Sequence, residues 1–399
     1  MATPAPASPA STTTGVGIPR PIKVFFVCTS LGNTRRGIES FFREAFDAMH
    51  GYPGLQAELY KGGGKDAPDE YRLWCFPKFS WPARILAKLI RRNGYVVEQL
   101  SFLPAIIRRI RRGNPDIIFY SDANLAMRLQ RWRKKIGVPY RLMYSNGAPV
   151  KPPFDGADHV QQVTPLYYQE ALDFGESPAK HSLVPYGIKM PAGDPVLDLD
   201  IRSQLRQHLN LPVDRKILIS VGWISAYHKR MDYVINEVAS LPVAERPFVV
   251  LLGEIDEASP PVIALAKQKL GEANFAIRSV PYEQVNDYYQ SADVFTLASL
   301  KEGFGRVYLE ALIQGLPCVV NDHPVTRYVL GDEGVFGDLS KPGELASRLP
   351  ALLSQPPDPA AMARRREHVR RNFGWDALRP AYLQMFKDCY HNSRPLENP

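Results

Sequence analysis

Short apolar runs alternate along the chain with longer segments whose apolar residues recur at helical spacing. The runs predict strands at 22–28, 55–60, 116–120, 140–145 and 160–164, and again at 216–222, 247–252, 275–280, 293–297 and 317–321. Because strands alternate with helices in both halves, the pattern predicts an α/β protein with two parallel, doubly wound sheets. With 399 residues, 45% of them hydrophobic, the chain can bury two substantial cores.

Composition marks the expected ends and junction of these two halves. Residues 1–20 are mostly Ala, Pro, Ser, Thr and Gly without an apolar core of signal-peptide length, so we expect a disordered tail. The segment 185–199 is rich in Pro, Gly and Asp, which is typical of a linker. Helical spacing near 359–373 and 375–390 predicts two C-terminal helices.

The segment 299–310 places two carboxylates around a glycine-containing turn. A predicted strand ends before it, and a helix is predicted to begin near Arg306. Gly303 and Gly305 allow a ligand to approach the backbone, and the first turn of a helix favours an anion such as a diphosphate. Glu302 and Glu310, with seven residues between them, can bind sugar hydroxyls. Alternatively, Glu302 caps the helix and Glu310 is a solvated surface charge.

A second junction of strand, loop and helix follows the predicted strand 216–222. Its polar loop begins with Trp223, directly after Gly222, and Lys229 and Arg230 precede the next helical pattern. Two cations at such a point can donate charge-assisted hydrogen bonds to phosphate oxygens. They can equally be two solvated charges at a helix end.

These motifs together resemble the retaining nucleotide-sugar glycosyltransferases with the two-domain B-type fold, group 1 (family 4-like). The resemblance covers most of the chain. It is carried by EGFGRVYLEAL at 302–312, VGWISAYHKRMD at 221–232, VPYGIK at 184–189 and LPCVVND at 316–322. It implies two Rossmann-like domains that face each other across a cleft. The implied boundaries are an acceptor-binding domain at 21–190, a nucleotide-sugar-binding domain at 191–375, and a C-terminal helix at 376–399 that packs back on the first domain.

The resemblance also implies roles for the donor-side residues. Glu302 would contact the donor sugar, Glu310 the ribose hydroxyls and Lys229 the diphosphate. Backbone groups at Gly303, Phe304 and Gly305 would hold the sugar and the phosphates. The family usually has an arginine where Trp223 stands after Gly222, and Arg230 is a candidate to replace it. The loop 278–282, which contains Val280, would contact the nucleobase.

Two N-terminal positions are further candidates. Arg36-Gly37-Ile38-Glu39 resembles the Gly-Gly-x-Glu loop of such enzymes, so Gly37 would lie near the donor phosphate or the acceptor. Alternatively, Gly37 serves only an ordinary turn. Asp122 follows the predicted strand 116–120, at the end where ligands bind in open α/β sheets, and could act on an acceptor hydroxyl. It could equally cap the following helix.

The implied reaction transfers a sugar from a nucleotide diphosphate sugar, with UDP-sugars favoured and GDP-sugars next, to an acceptor hydroxyl with retention. We expect no cofactor and no metal, since none of the eight histidines shows metal-ligand spacing. The acceptor would be a glycan, a lipid-linked molecule or a small molecule. The alternative is a degenerate scaffold that only binds a nucleotide sugar or an anionic surface.

Charge is unevenly distributed. Residues 1–190 contain 26 Lys and Arg against 15 Asp and Glu, whereas the remainder contains 23 against 26. The segment 81–92 mixes apolar and cationic residues at helical spacing, so an anionic membrane surface is a candidate partner. Alternatively, Ile85, Leu86, Leu89 and Ile90 face the core. We find no nucleic-acid-recognition motif, and four scattered cysteines favour a reducing cytoplasm.

Overall fold

The computed structural model describes residues 20–34, 36–148, 150–193 and 199–391. The first half forms a seven-stranded parallel sheet in the order β3-β2-β1-β4-β5-β6-β7. Its strands are β1 (Ile22–Cys28), β2 (Leu55–Lys61), β3 (Glu70–Arg72), β4 (Ile117–Tyr120), β5 (Arg141–Asn146), β6 (His159–Gln162) and β7 (His181–Leu183). Its helices are α1 (Gly37–Met49), α2 (Trp81–Leu89), α3 (Gly94–Gly113), α4 (Ala123–Ile136) and α5 (Pro165–Asp173).

The second half forms a six-stranded parallel sheet in the order β10-β9-β8-β11-β12-β13. Its strands are β8 (Ile217–Val221), β9 (Phe248–Leu252), β10 (Phe275–Arg278), β11 (Val294–Leu297), β12 (Cys318–Asn321) and β13 (Gly334–Gly337). The remaining helices are α6 (Leu199–His208), α7 (Met231–Ser240), α8 (Pro260–Leu270), α9 (Tyr282–Ser291), α10 (Arg306–Ile313), α11 (Pro324–Leu330), α12 (Leu349–Ser354), α13 (Pro359–Phe373) and α14 (Trp375–His391).

Both faces of each sheet are covered, which explains why the strands are nearly continuous apolar runs. In β1, Val24 and Phe26 pack on the side of α1 and α14, whereas Phe25 and Val27 pack on the side of α3 and α4. Helix α14 returns to the first sheet, where the Phe386 ring lies 5.8 Å from that of Phe26. The prediction of two parallel α/β sheets is confirmed.

Three short strands, β3, β7 and β13, were not predicted. Each is an edge strand of three or four residues, and β3 consists of Glu, Tyr and Arg. These segments become strands by pairing with an interior strand. They lack the apolar run that marks a central strand, so the sequence pattern does not predict them. The ten predicted strands all form, with ends that differ by at most two residues.

Several predictions fall partly on residues that the structure does not describe. Residues 1–19 of the expected tail, 194–198 of the expected linker and 392–399 of the C-terminal segment lie outside the described residues. Arg20 is described, and its guanidinium donates to Asp116 at the start of the first sheet. Among the described helices, none is both long and apolar enough to span a membrane.

Candidate active site

The carboxyl ends of both sheets meet at an interdomain cleft. Gly147, which follows β5, and Gly303, which follows β11, approach so closely that a Cβ added to Gly303 would lie 2.1 Å from the Gly147 carbonyl oxygen. The Tyr167 hydroxyl in α5 donates a 2.7 Å hydrogen bond to the Glu302 carbonyl oxygen. Two glycines and one tyrosine therefore fix the distance between the halves at this point.

The centre of the cleft holds an ion pair between Lys229 and Glu302. Glu302 is 7% exposed. The stem of Lys229 lies along Gly222, where an added Cβ would come within 3.1 Å of the Lys229 Cγ. A side chain at position 222 would therefore displace the lysine. Since the Glu302 carboxylate pairs with Lys229 and the N-cap of α10 is Gly305, the alternative that Glu302 caps this helix is wrong.

The turn between the two glutamates depends on its glycines. Gly305 has a φ of +81°, in the left-handed region that favours glycine, and an added Cβ would lie 2.3 Å from the Tyr308 ring. The side chain of Phe304 is buried, with its ring 5.4 Å from that of Tyr186 and 5.8 Å from that of Phe373. Phe304 thus anchors the turn to the core, which leaves only its backbone available to a ligand.

Glu310 lies one helical turn further along α10 and is partly buried. Its carboxylate accepts hydrogen bonds from the hydroxyls of Tyr282, at 3.2 Å, and Tyr289, at 3.1 Å. Burial raises the pKa of Glu310. The alternative of a solvated surface charge is therefore wrong. Because Tyr282 begins α9, Glu310 is linked directly to the loop between β10 and α9 that contains Val280.

Arg230 occupies the left-handed region, with a φ of 50°, at the N-cap of α7. Its guanidinium donates to the carbonyl oxygens of Leu339, at 2.6 Å, and Ala298, at 3.4 Å, and stacks over the Tyr233 ring. These contacts tie the loop before α7 to the segments after β11 and β13. The alternative of a freely solvated charge is wrong, and a role toward phosphate remains a prediction.

Asp122 lies beneath the N-terminal side of the cleft. Its carboxylate accepts from the Thr29 backbone N–H at 2.8 Å and from the Gln99 side chain at 3.3 Å. In the described part of the chain the Asp122 carboxylate accepts no capping hydrogen bond from the N–H groups of α4, so the capping alternative is wrong. Burial raises the pKa of Asp122 to about 6. Asp122 therefore joins the loop after β1 to α3.

The glycine loop before α1 is held by a buried glutamate. Glu39 accepts from the Ser30 hydroxyl at 2.6 Å and from the Arg36 backbone N–H at 3.0 Å, and it also pairs with the Arg36 guanidinium. Gly37 is exposed, and an added Cβ would meet no atom within 4 Å. The loop thus leaves open space beside Gly37. Arg35 lies outside the described residues.

A polar cluster beside this loop was not predicted. Lys78 is 6% exposed, its ammonium donates to the Tyr95 hydroxyl at 2.6 Å, and it lies over the rings of Tyr95 and Phe79. The Arg36 guanidinium also contacts the Tyr95 hydroxyl. Nearby, buried Glu98 accepts from the Asn33 side chain at 3.1 Å. The sequence pattern does not distinguish Lys78 from the other lysines, and only the fold shows that it is buried.

Burial and neighbouring charges act on the lysine of this cluster. Burial, followed by the charge of Arg36, lowers the pKa of Lys78. The charge of Glu254, from the opposite domain, raises the same pKa. Within the described ranges, Arg36 Nε and Gln99 Oε1 are buried without a hydrogen-bond partner. The two cations and Arg36 Nε can donate to an anionic group, whereas Gln99 Oε1 can only accept, for example from a hydroxyl.

Together, two doubly wound parallel sheets and a cleft lined by loops at their carboxyl ends define the B-type glycosyltransferase fold. Residues 201–369 match the family model described as glycosyl transferases group 1. The resemblance inferred from the sequence is confirmed: the chain has this two-domain fold, and its residues 201–369 match the group 1 glycosyltransferase model. Within the described ranges, no group of three His, Cys, Asp or Glu residues is placed to hold a metal ion.

Two sequence relatives match part of the chain. The chain is 28% identical over 256 residues to the D-inositol 3-phosphate glycosyltransferase of Kineococcus radiotolerans, covering 58% of each chain. It is 32% identical over 212 residues to the protein of the same name from Xylanimonas cellulosilytica, covering 51% of this chain and 50% of that one. The matches thus span between half and three fifths of these relatives.

Solved structures extend the likeness in fold to nearly the whole chain. The sucrose-phosphate synthase of Thermosynechococcus elongatus superposes with a TM-score of 0.71 at 16% identity, over 93% of this chain and 100% of that one. Anabaena Alr3699/HepE, in complex with UDP and glucose, superposes with a TM-score of 0.70 at 14% identity, over 92% and 99%. At these identities the likeness establishes the fold alone.

Proposed function

We propose that this protein transfers a sugar from a nucleotide diphosphate sugar to an acceptor hydroxyl with retention of anomeric configuration. The observation that carries the proposal is the partly buried pair of Lys229 and Glu302, held in the cleft beside the Gly305 end of α10. A buried ion pair is a weak source of stability, so its position at the meeting point of two domains favours a role in binding.

The donor occupies the C-terminal side of the cleft. Lys229 exchanges its contact with Glu302 for a contact with the diphosphate, and Glu302 is then free to accept from sugar hydroxyls. Backbone N–H groups of 303–305 and the N-terminal end of α10 favour the same negative charge. Glu310 accepts from the ribose hydroxyls, while the loop around Val280 contacts the base. UDP-sugars are the favoured donors and GDP-sugars the next.

Catalysis follows from where charge develops. As the glycosidic bond breaks, negative charge grows on the departing diphosphate, where Lys229 and the α10 N-terminus are already positioned. Glu302 lies at the sugar and stabilises positive charge near the anomeric carbon. Arg230 fixes the loop that carries Lys229. The neighbouring Gly222 leaves space for the lysine stem, so this lysine is positioned rather than mobile.

The acceptor occupies the N-terminal side, between the loop at Gly37 and the polar cluster. Lys78 and Arg36 bind an anionic group, and Glu98 and Asp122 accept from hydroxyls. The chemistry fits a polyol that carries a phosphate, whether soluble or part of a larger glycan or lipid. Two of the similar proteins are named for an inositol phosphate, which supports this choice. We place the reaction in the cytoplasm, in glycan, glycolipid or glycoconjugate biosynthesis.

Nucleotide binding tests the donor site. Thermal unfolding of the purified protein is followed with UDP, GDP, ADP, dTDP and their common sugar conjugates, for the wild type, Lys229→Ala and the control Lys267→Ala on the exposed face of α8. A ligand at 100 times its Kd adds about 2.7 kcal/mol of stability. We expect one nucleotide to stabilise the wild type and the control but not Lys229→Ala. No response to any nucleotide would overturn the proposal.

Transfer assays test the reaction and the acceptor site. With the identified donor, we expect D-inositol 3-phosphate to be glycosylated far better than unphosphorylated inositol. The loss of one charge-assisted contact in Lys78→Met should raise the KM for the phosphorylated acceptor about tenfold or more. The anomeric configuration of the product, read by NMR, tests retention. Binding of the nucleotide sugar without transfer to any hydroxyl acceptor would instead identify a degenerate scaffold.

A further inference from the structure

Helix α2 presents an apolar face to solvent. Its Ala83 and Ala87 pack against Val97 of α3. The opposite face exposes Trp81, Ile85 and Leu89, whose exposed fractions are 75%, 39% and 73%. The prediction that Ile85, Leu89 and Ile90 face the core is therefore wrong, and of that group only Leu86 is partly buried.

Further large apolar side chains adjoin this helix. Phe79, which precedes it, is 66% exposed, and Ile90, which follows it, is 45% exposed. Trp74 is also exposed and packs edge-on against Phe76, which in turn packs beneath α2. We call the exposed residues Trp74, Phe79, Trp81, Ile85, Leu89 and Ile90 the α2 face. Exposed apolar surface of this extent on a folded protein marks an interaction site.

Cations border the α2 face, and acids are missing from it. Arg84 and Lys88 are exposed on the same side of the helix as Trp81, and Arg91 and Arg92 are exposed just beyond its end. Residues 71–97 contain six Lys and Arg and no Asp or Glu. At 100° per residue, Trp81, Ile85 and Leu89 form one stripe, and Arg84 and Lys88 form the stripe beside it.

We propose that the α2 face docks on the surface of an anionic phospholipid bilayer. Tryptophan and leucine beside lysine and arginine on one helix match the polarity gradient between acyl chains and headgroups. The absence of acids fits a surface of uniform negative charge, to which each cation contributes about fivefold in affinity. A protein partner is less suited, because protein interface cores are depleted in lysine.

The α2 face lies at the edge of the proposed acceptor cluster. The Lys78 ammonium lies 4.3 Å from the centroid of the Phe79 ring, and Ser80 caps α2 through the Ala83 N–H. A bilayer in contact with Phe79 and Trp81 would thus lie beside the cleft. Docking is a property separate from sugar transfer. The two do not require each other, because a soluble acceptor could still enter the cleft.

Flotation with liposomes tests the docking. The full chain is mixed with vesicles of phosphatidylcholine alone or with phosphatidylglycerol, at low and high salt. We expect binding only to the anionic vesicles and release by salt. Both Trp81→Ser/Leu89→Ser and Arg84→Glu/Lys88→Glu should lower binding at least about tenfold. The control Arg131→Glu/Lys135→Glu makes the same charge change on exposed positions of α4 and should bind as the wild type does.

The remaining outcomes are also decisive. Absence of binding to anionic vesicles, or an equal loss in the α4 control, would overturn the proposal, the latter because any basic surface would then suffice. Light scattering that shows an oligomer dissolved by Trp81→Ser would assign the α2 face to a contact between copies and overturn it as well. Nucleotide-dependent thermal stabilisation should stay unchanged in every variant, so failure of docking and failure of the proposed transferase function remain distinguishable.

Discussion

Glu44 in α1 and Arg306 at the start of α10 form an ion pair that joins the two halves of the molecule. The same carboxylate accepts from the Lys189 backbone N–H at 2.8 Å and from the Trp375 indole at 3.4 Å. Lys189 and Trp375 lie on the two segments where the chain passes between the halves. One partly buried carboxylate therefore contacts both crossings and the helix that carries the Glu310 side chain.

Replacing Glu44 with alanine should destabilise the protein strongly. Arg306 is 5% exposed, so its charge would remain buried without the carboxylate that pairs with it, which costs about 3–5 kcal/mol. The measurement is chemical denaturation. Asp322→Ala, which breaks the exposed pair of Asp322 and Arg327, is the control and should cost less than about 1 kcal/mol. Equal effects of the two substitutions would show that the interdomain pair does not hold the halves together.

Substitutions of the two glutamates of the turn should have different effects on the kinetic constants. We expect Glu302→Ala to lower kcat by about 10² or more, because it removes a contact to the sugar in the transition state. Glu310→Ala should mainly raise the KM for the donor. The readout is steady-state kinetics with the donor identified by thermal shift.

Binding of the product nucleotide provides the control for this pair of variants. Glu302→Ala removes the side chain that competes with phosphate for Lys229, so it should bind the nucleoside diphosphate as tightly as the wild type or more tightly. Glu310→Ala should bind it more weakly. Equal loss of nucleotide affinity in both variants would contradict the roles assigned to the two carboxylates.

Residues proposed for the donor site could be predicted from the sequence because they lie in segments that follow an apolar strand. Gly222 follows β8, and Glu302 lies a few residues beyond β11. Carboxyl ends of parallel strands meet at one edge, so local pattern was enough to place these loops together. The glycines of 303–305 added the expected turn, and the structure places it at the start of α10.

Contacts between segments that are far apart in the chain could not be predicted from the sequence. Arg306 looks like a surface residue at a helix start, and only its approach to Glu44, 262 positions away in the chain, explains its burial. The environment of Lys78 likewise depends on distant residues, namely Tyr95 and Glu254 of the opposite domain. The orientation of α2 was ambiguous because apolar residues occupy both its faces, and packing of Ala83 and Ala87 decides which face is buried.

Trp223 stands where the family resemblance implies an arginine, and its indole N–H is buried without a hydrogen-bond partner in the described part of the chain. We expect this N–H to donate to the donor diphosphate. Trp223→Phe should then weaken nucleotide binding about tenfold, the value of one hydrogen bond to a charged group, while slightly stabilising the free protein. Calorimetric titration and thermal unfolding measure the two effects. Unchanged affinity would remove Trp223 from the donor site, and Trp132→Phe on α4 is the control.

Asp122 should make stability depend on pH. Its pKa is raised by burial from 3.8 to about 6, so the folded protein retains a proton that the unfolded chain releases. The free energy of unfolding should therefore fall as pH rises from about 4 to 6, by about 1–3 kcal/mol from this group. Asp122→Asn should remove that part of the slope. The asparagine can still accept from Thr29, and its amide can donate to Gln99 Oε1, which has no partner among the described residues. Urea denaturation between pH 4 and 7 tests this, and an identical slope in both proteins would show that Asp122 is ionised throughout.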